Sequence, residues 1–343
     1  QIVDSEDPVL GFFVRWIEEF AKHIESIEVI CLKSGKFNLP SNVRVHSLGK
    51  EKGSSRAKYI FSFYTYLWNL RHDYDTVFVH MNPEYFVLAG ALWRLQGRRT
   101  ALWYTHKNVN LWLRIATFFT DRIFTASTES FRVRTNKVVV MGHGIDTERY
   151  VPPHVPSAGT VRLMTSGRIT PTKRLDVVTH AFLELKKRGV TATLYIFGAP
   201  ATPVDVEYKK KLSAELTEAG ENPEAVFLGS LPHADLPLRR ATMDYFLHAS
   251  ETGSLDKTVL DAAMSGVIPL SSSEAYGKFF AGFEQYLSYP KGDSSMLADM
   301  VATLEALSPE EREHIRKTLK ERVIKEHSLQ HLIPAIVESM QTI

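Results

Sequence analysis

The 343-residue chain contains one cysteine, Cys31, which excludes an internal disulfide framework and a cysteine-rich zinc site. Cys31 falls within the apolar run Ile27 to Leu32, where a thiol serves as a small buried hydrophobe. No apolar run approaches the roughly 18 residues that a bilayer span requires, and no signal-peptide pattern opens the chain. A protein of the reducing cytoplasm is therefore expected. No Asp-x-Asp pair occurs at a strand end, and no His/Cys cluster has metal-ligand spacing, so no metal is expected. A strong leading strand is also missing, because the chain opens at Gln1-Ile2-Val3-Asp4. The first strand is accordingly expected to be truncated.

What is present reads as globular. Hydrophobic residues make up 44% and charged residues 23% of a chain too long for one comfortable core, which suggests two domains. Net charge is only +2 but unevenly placed. Arg44 to Lys137 carries fifteen Lys and Arg against six Asp and Glu, a balance of +9 that leaves −7 elsewhere. A basic half joined to an acidic half points to an anionic partner or surface at the first.

The richest stretch is Val161 to Asp176. Val161, Leu163 and Thr165 alternate as a short strand, Ser166-Gly167 breaks it, and Arg168 follows. Pro171-Thr172 reads as a helix start with Lys173 and Arg174 in the first turn, where a helix ordinarily prefers acids. Cations stacked on a helix N-terminus make sense when an anion is held between them, and the whole reads as a phosphate cradle. A second stretch, Phe246 to Ser271, gives a buried strand, a Ser/Gly-rich loop, a helix from about Asp256 to Met264, a Gly266 cap and another strand.

Together these stretches resemble the C-terminal domain of family-4 (group 1) glycosyltransferases of the GT-B fold. Gly167-Arg168 through Lys173-Arg174 matches the family's phosphate loop, and Leu260-Asp261-Ala262-Ala263-Met264-Ser265-Gly266 matches the end of its Glu-x7-Glu helix. Asp261 replaces the second Glu; Gly253 stands where the first would be, leaving Glu251 or Asp256 as substitutes. The resemblance implies two Rossmann-like doubly wound α/β domains facing across a cleft. Residues 1–150 would bind acceptor, 151–328 would bind nucleotide sugar, and 329–343 would cross back onto the first domain.

In chain order, Pro8 to Phe13 supplies a Gly-containing loop in which Gly11 either approaches a phosphate or simply enters the helix. That helix, with Leu10, Phe13, Ile17 and Phe20 inside, should hold Glu18, Glu19 and Lys22 outside. Strands are expected at 27–32, 43–48, 76–80, 100–104, 122–126 and 137–140, alternating with helices as in a parallel sheet. Arg56 to Arg71 is aromatic on every face, so it is either a buried helix or one resting on an anionic membrane surface. Leu111-Trp112-Leu113-Arg114 is a weaker candidate of the latter kind. His106 follows a strand end, where ligands of open α/β sheets bind, and the resemblance implies contact with the donor sugar. Tyr150 to Thr160 reads as a Pro-rich linker. In the second half, strands are expected at Ala192–Phe197, Ala225–Leu228 and Asp244–Leu247, with Gly198 and Gly229 on the rim of Arg168.

The resemblance implies transfer of a sugar, with retained configuration, from a nucleotide-diphosphate sugar to an acceptor hydroxyl, without a cofactor. Arg168 and Lys173 would neutralise the leaving diphosphate and Asp261 would accept the ribose hydroxyls. Gly253, Ser254 and Leu255 would offer N–H groups, and Ser254 its hydroxyl, to the phosphate. Expected partners are the sugar donor, an anionic or lipid-linked acceptor and a membrane surface, not nucleic acid. Two rivals share the fold: a non-hydrolysing epimerase, for which acid/base residues are not evident, and a non-catalytic binding or scaffold protein.

Overall fold

The computed structural model describes residues 1–7, 10–148, 154–155, 159–231 and 235–342. Pro8-Val9 of the first loop and most of the 150–160 linker lie outside the described residues. The chain forms two compact units, Gln1–Asp146 with Glu326–Ile343, and Thr147–Lys325.

In the first unit, strands β1 (Ile2–Val3), β2 (Ile27–Cys31), β3 (Lys33–Ser34), β4 (Val43–Ser47), β5 (Thr76–His80), β6 (Arg99–Trp103), β7 (Arg122–Thr125) and β8 (Val138–Val140) are all paired in parallel. The order β5-β6-β7-β8 makes the main sheet, while β1-β3 and β2-β4 form separate pairs. Helix Phe12–Ala21 buries Phe13, Val14, Trp16, Ile17 and Phe20, the spacing of an amphipathic helix. Glu19, expected outside, is buried. Lys22 donates to its Oε2 at 2.6 Å, and such pairing makes a buried carboxylate tolerable. Helix Leu329–Gln341 packs against Phe12–Ala21.

The aromatic helix Arg56–Asn69 buries only Phe63 and Leu67, so the buried alternative does not hold. Its aromatics ring the helix, and one core can cover only one side. Among the described residues no helix is long and apolar enough to cross a membrane.

The second unit is a single parallel sheet in the order β11-β10-β9-β12-β13. Its strands are β9 (Val161–Ser166), β10 (Ala192–Phe197), β11 (Phe227–Gly229), β12 (Tyr245–His248) and β13 (Ile268–Ser271). The strand expected at 225–228 is displaced by the short helix Pro223–Val226. Asn222 Oδ1 accepts the Glu224 N–H at 3.0 Å, and an Asn cap with Pro behind it outweighs the β-branched signal there. Nor does the helix after β9 begin at Pro171. Pro171–Lys173 is a 3₁₀ turn, Arg174 is left-handed at φ 48°, and the helix runs Leu175–Lys187. Lys173 and Arg174 therefore precede the helix instead of sitting in its first turn.

Candidate active site

From β9 the chain moves through β10 to β11 on one side, and through β12 to β13 on the other. Sequence order reverses between β9 and β12, and at such a switch point a crevice opens beyond the carboxyl ends of the strands. Gly167, Arg168 and Lys173 line it from the β9 loop, His248 and Ala249 from the end of β12. The rim is locked by main-chain bonds. Gly167 N–H donates to Phe197 O at 2.9 Å, and Gly198 N–H to Gly229 O at 2.8 Å. A Cβ on Gly198 would lie 1.8 Å from Gly167 O, so only glycine fits that crossing. Both glycines thus shape the rim and spend their N–H groups on it.

Arg168 is exposed, and among the described residues no hydrogen bond or ion pair occupies its guanidinium. Lys173 differs: its ammonium pairs with Asp256 Oδ2. His248 Nε2 stands 3.5 Å from the same oxygen, and His248 Nδ1 is 2.8 Å from Ser271 Oγ. Burial alone would raise the Asp256 carboxyl, but Lys173 and His248 outweigh it and hold the group well below the usual carboxylate range. Asp256 is fixed twice more. Its N–H donates to Tyr276 Oη at 2.6 Å, and its Oδ1 accepts the Thr258 N–H at 3.3 Å, capping helix Lys257–Met264. The other acid left open by the sequence, Glu251, turns to Arg174 Nη1 at 2.5 Å, and Arg174 also grips Asp176 at 2.9 Å. Of the two, Asp256 is the one against the crevice. His248 was not singled out from sequence; its only signal is an imidazole ending the apolar run Tyr245-Phe246-Leu247.

Gly253 is left-handed at φ 59°, and among the described residues no acceptor takes the N–H of Gly253, Ser254 or Leu255. Ser254 Oγ lies 3.4 Å from Thr252 Oγ1. Asp261, one turn along the helix, is buried between Arg240 Nη2 at 3.5 Å and Lys257 Nζ at 3.8 Å. Gly11 and His106 belong to the first unit. Gly11 caps helix Phe12–Ala21 with its N–H on Asp7 O at 3.0 Å. A Cβ on it would meet that oxygen at 2.6 Å, so close chain approach accounts for the glycine. His106 is exposed after β6. Its Nδ1 accepts the Asn108 N–H at 3.0 Å, which makes Nε2 the protonated nitrogen of the neutral ring. Among the described residues no group of three or more His, Cys, Asp or Glu is arranged to hold a metal.

Parallel α/β sheets in both units, with a cation-lined crevice at the switch point of the second, describe a GT-B glycosyltransferase fold. The family described as "Glycosyl transferases group 1" matches residues 146–322, and the chain belongs to it. Solved structures agree in fold. HepE of Anabaena, in complex with UDP and glucose, has a TM-score of 0.76 at 16% identity, covering 100% of this chain and 99% of that one. Sucrose-phosphate synthase of Thermosynechococcus elongatus gives 0.76 at 13% identity, covering 99% and 97%. WaaG, a glycosyltransferase involved in lipopolysaccharide biosynthesis, gives 0.68 at 13%, covering 97% and 96%. No curated protein sequence matches the chain.

Proposed function

We propose that this protein is a retaining, metal-independent glycosyltransferase moving a hexosyl group from a nucleotide-diphosphate sugar to an acceptor hydroxyl. The bond from the anomeric carbon to the diphosphate breaks, a bond to the acceptor oxygen forms, and the hydroxyl proton leaves with the departing diphosphate. The observation that carries this reading is the unpaired Arg168 beside Lys173 at the switch point. Cations fixed where negative charge develops lower such a barrier. The vacant N–H groups of Gly253, Ser254 and Leu255 add donors for the phosphate, and Asp261 receives the ribose hydroxyls. Asp256 takes the place of the acid missing at Gly253 as reader of the donor sugar. The basic balance of residues 44–137 suits an anionic or lipid-linked acceptor, worked on in the cytoplasm at the inner membrane face during surface glycan or glycolipid synthesis.

Incubation with UDP-, GDP- and ADP-sugars, with mass detection of released nucleotide, tests the reading. At least one donor should release nucleoside diphosphate in amounts exceeding the enzyme. Tight nucleotide binding without release from any donor would instead support the scaffold reading, which the cancelled charge of Lys173 favours.

A further inference from the structure

Of the seventeen large hydrophobic residues exposed among the described residues, eight lie on three helices of the first unit: Arg56–Asn69, Glu84–Leu95 and Leu111–Phe119. These helices form one layer. Phe63 of the first packs on Tyr85 of the second with ring centroids 5.1 Å apart, and Tyr64 Oη donates to Leu88 O at 2.7 Å. The second and third meet at Gly90, where a Cβ would come within 2.7 Å of Phe119. The inward residues Phe63, Phe86, Trp93 and Leu113 share one core cluster with the sheet. The outward side therefore carries Phe61, Tyr64, Trp68, Leu95, Trp112 and Phe118.

That side is also cationic. The three helices hold Arg56, Lys58, Arg94 and Arg114 against one acid, Glu84. Among the described residues no carboxylate pairs with any of the four. Arg94 lies 5.4 Å from the Phe118 ring centroid and Arg71, just past the first helix, 4.4 Å from that of Trp68. Exposed aromatics gathered on one helix layer, instead of scattered singly, mark an interaction surface. Interleaved with cations that no protein acid neutralises, they match the apolar, negatively charged interface of a bilayer.

We propose that the outer face of this three-helix layer docks on an anionic lipid surface, with Trp68 and Trp112 seated among the headgroups. The function proposed above supplies a purpose for the docking, but the test is independent of it, because no donor or acceptor is present.

The tryptophans make the test direct. Trp16, Trp93 and Trp103 are 2%, 3% and 1% exposed, whereas Trp68 and Trp112 are 68% and 47% exposed. Phosphatidylglycerol vesicles with brominated acyl chains should quench part of the protein's fluorescence at low salt. Phosphatidylcholine vesicles should not, and high salt should reverse the effect because its range is about 8 Å at physiological ionic strength. The double variant Trp68→Phe/Trp112→Phe should keep vesicle binding and lose the quenching. Lys58→Ala/Arg114→Ala should weaken binding about 30-fold, from roughly 1 kcal/mol per cation, with an unchanged circular dichroism melt. Absence of quenching, or quenching that persists in the Trp68→Phe/Trp112→Phe variant, overturns the proposal. So does a concentration-dependent dimer, abolished by Phe61→Ser, in a protein that ignores the vesicles; that result assigns the face to a second copy.

Discussion

Arg168 and Lys173 differ in what holds them, and the difference can be measured. Arg168 has no partner among the described residues, so Arg168→Ala should leave the melting temperature within about a degree, as for an ordinary surface change. Its turnover should fall on the order of 10²-fold, the usual cost of losing a charge partner of the transition state. Lys173→Ala should cost similar rate and also stability, because it strips the ammonium from half-buried Asp256. Equal melting temperatures for the two variants would contradict the pairing. The same pair sets a pH dependence. Asp256 is held below the ordinary aspartate value, so its ionised form contributes stability that is present above pH about 4. That contribution is lost as pH falls through the lowered folded-state value. Asp256→Asn should therefore be markedly less stable than the parent at pH 7, with the gap closing below pH about 4. A gap constant from pH 7 to pH 3 would show that the carboxylate is not held by its cations.

At the scale of elements, the crossing of the β9 and β10 exits is the tightest feature of the candidate site. Gly198→Ala sets a methyl 1.8 Å from Gly167 O, and a clash with main chain cannot be relieved by rotating a side chain. A loss of more than about 2 kcal/mol is expected in denaturant unfolding, with weakened nucleotide binding because Gly167 must shift. Gly253→Ala adds side-chain bulk at φ 59° and should cost only about 1 kcal/mol. A Gly198 variant as stable as the parent would mean the two loops do not cross there. These elements were unequally legible in the sequence. Strand β9 and the Gly-Arg turn declare themselves through alternation and a breaker. The 3₁₀ turn that places Lys173 toward Asp256 does not, since Pro171 starts either kind of helix. The helix Pro223–Val226 was hidden because its cap lies outside the apolar run that suggested a strand. Exposure of the aromatic helix was undecidable from a pattern with no polar face; which side is covered depends on Tyr85 and Trp93, twenty or more residues away.

For the whole molecule, the GT-B class could be inferred from alternating strands and helices and from two motifs, and the family match at residues 146–322 falls almost wholly in the second unit. The first unit was less legible, because it carries no motif comparable to the Gly-Arg turn after β9. On the proposed function, the whole protein must offset the charge of a departing nucleoside diphosphate. A divalent ion held by carboxylates is one solution; fixed cations with main-chain N–H donors are the other. Here the switch-point crevice carries Arg168 and Lys173, and the carboxylate against it, Asp256, is committed to Lys173 and His248. Filling that carboxylate with a metal would require breaking both contacts and would set a second cation beside Lys173. Turnover should accordingly be unchanged in excess EDTA and gain less than twofold from Mg²⁺ or Mn²⁺, measured as nucleotide release from the preferred donor. Arg168→Ala should not be rescued by either metal. Activity abolished by EDTA and restored by Mg²⁺ would transfer the neutralising role from Arg168 and Lys173 to a bound ion. It would leave the fold untouched and recast Asp256 as a ligand.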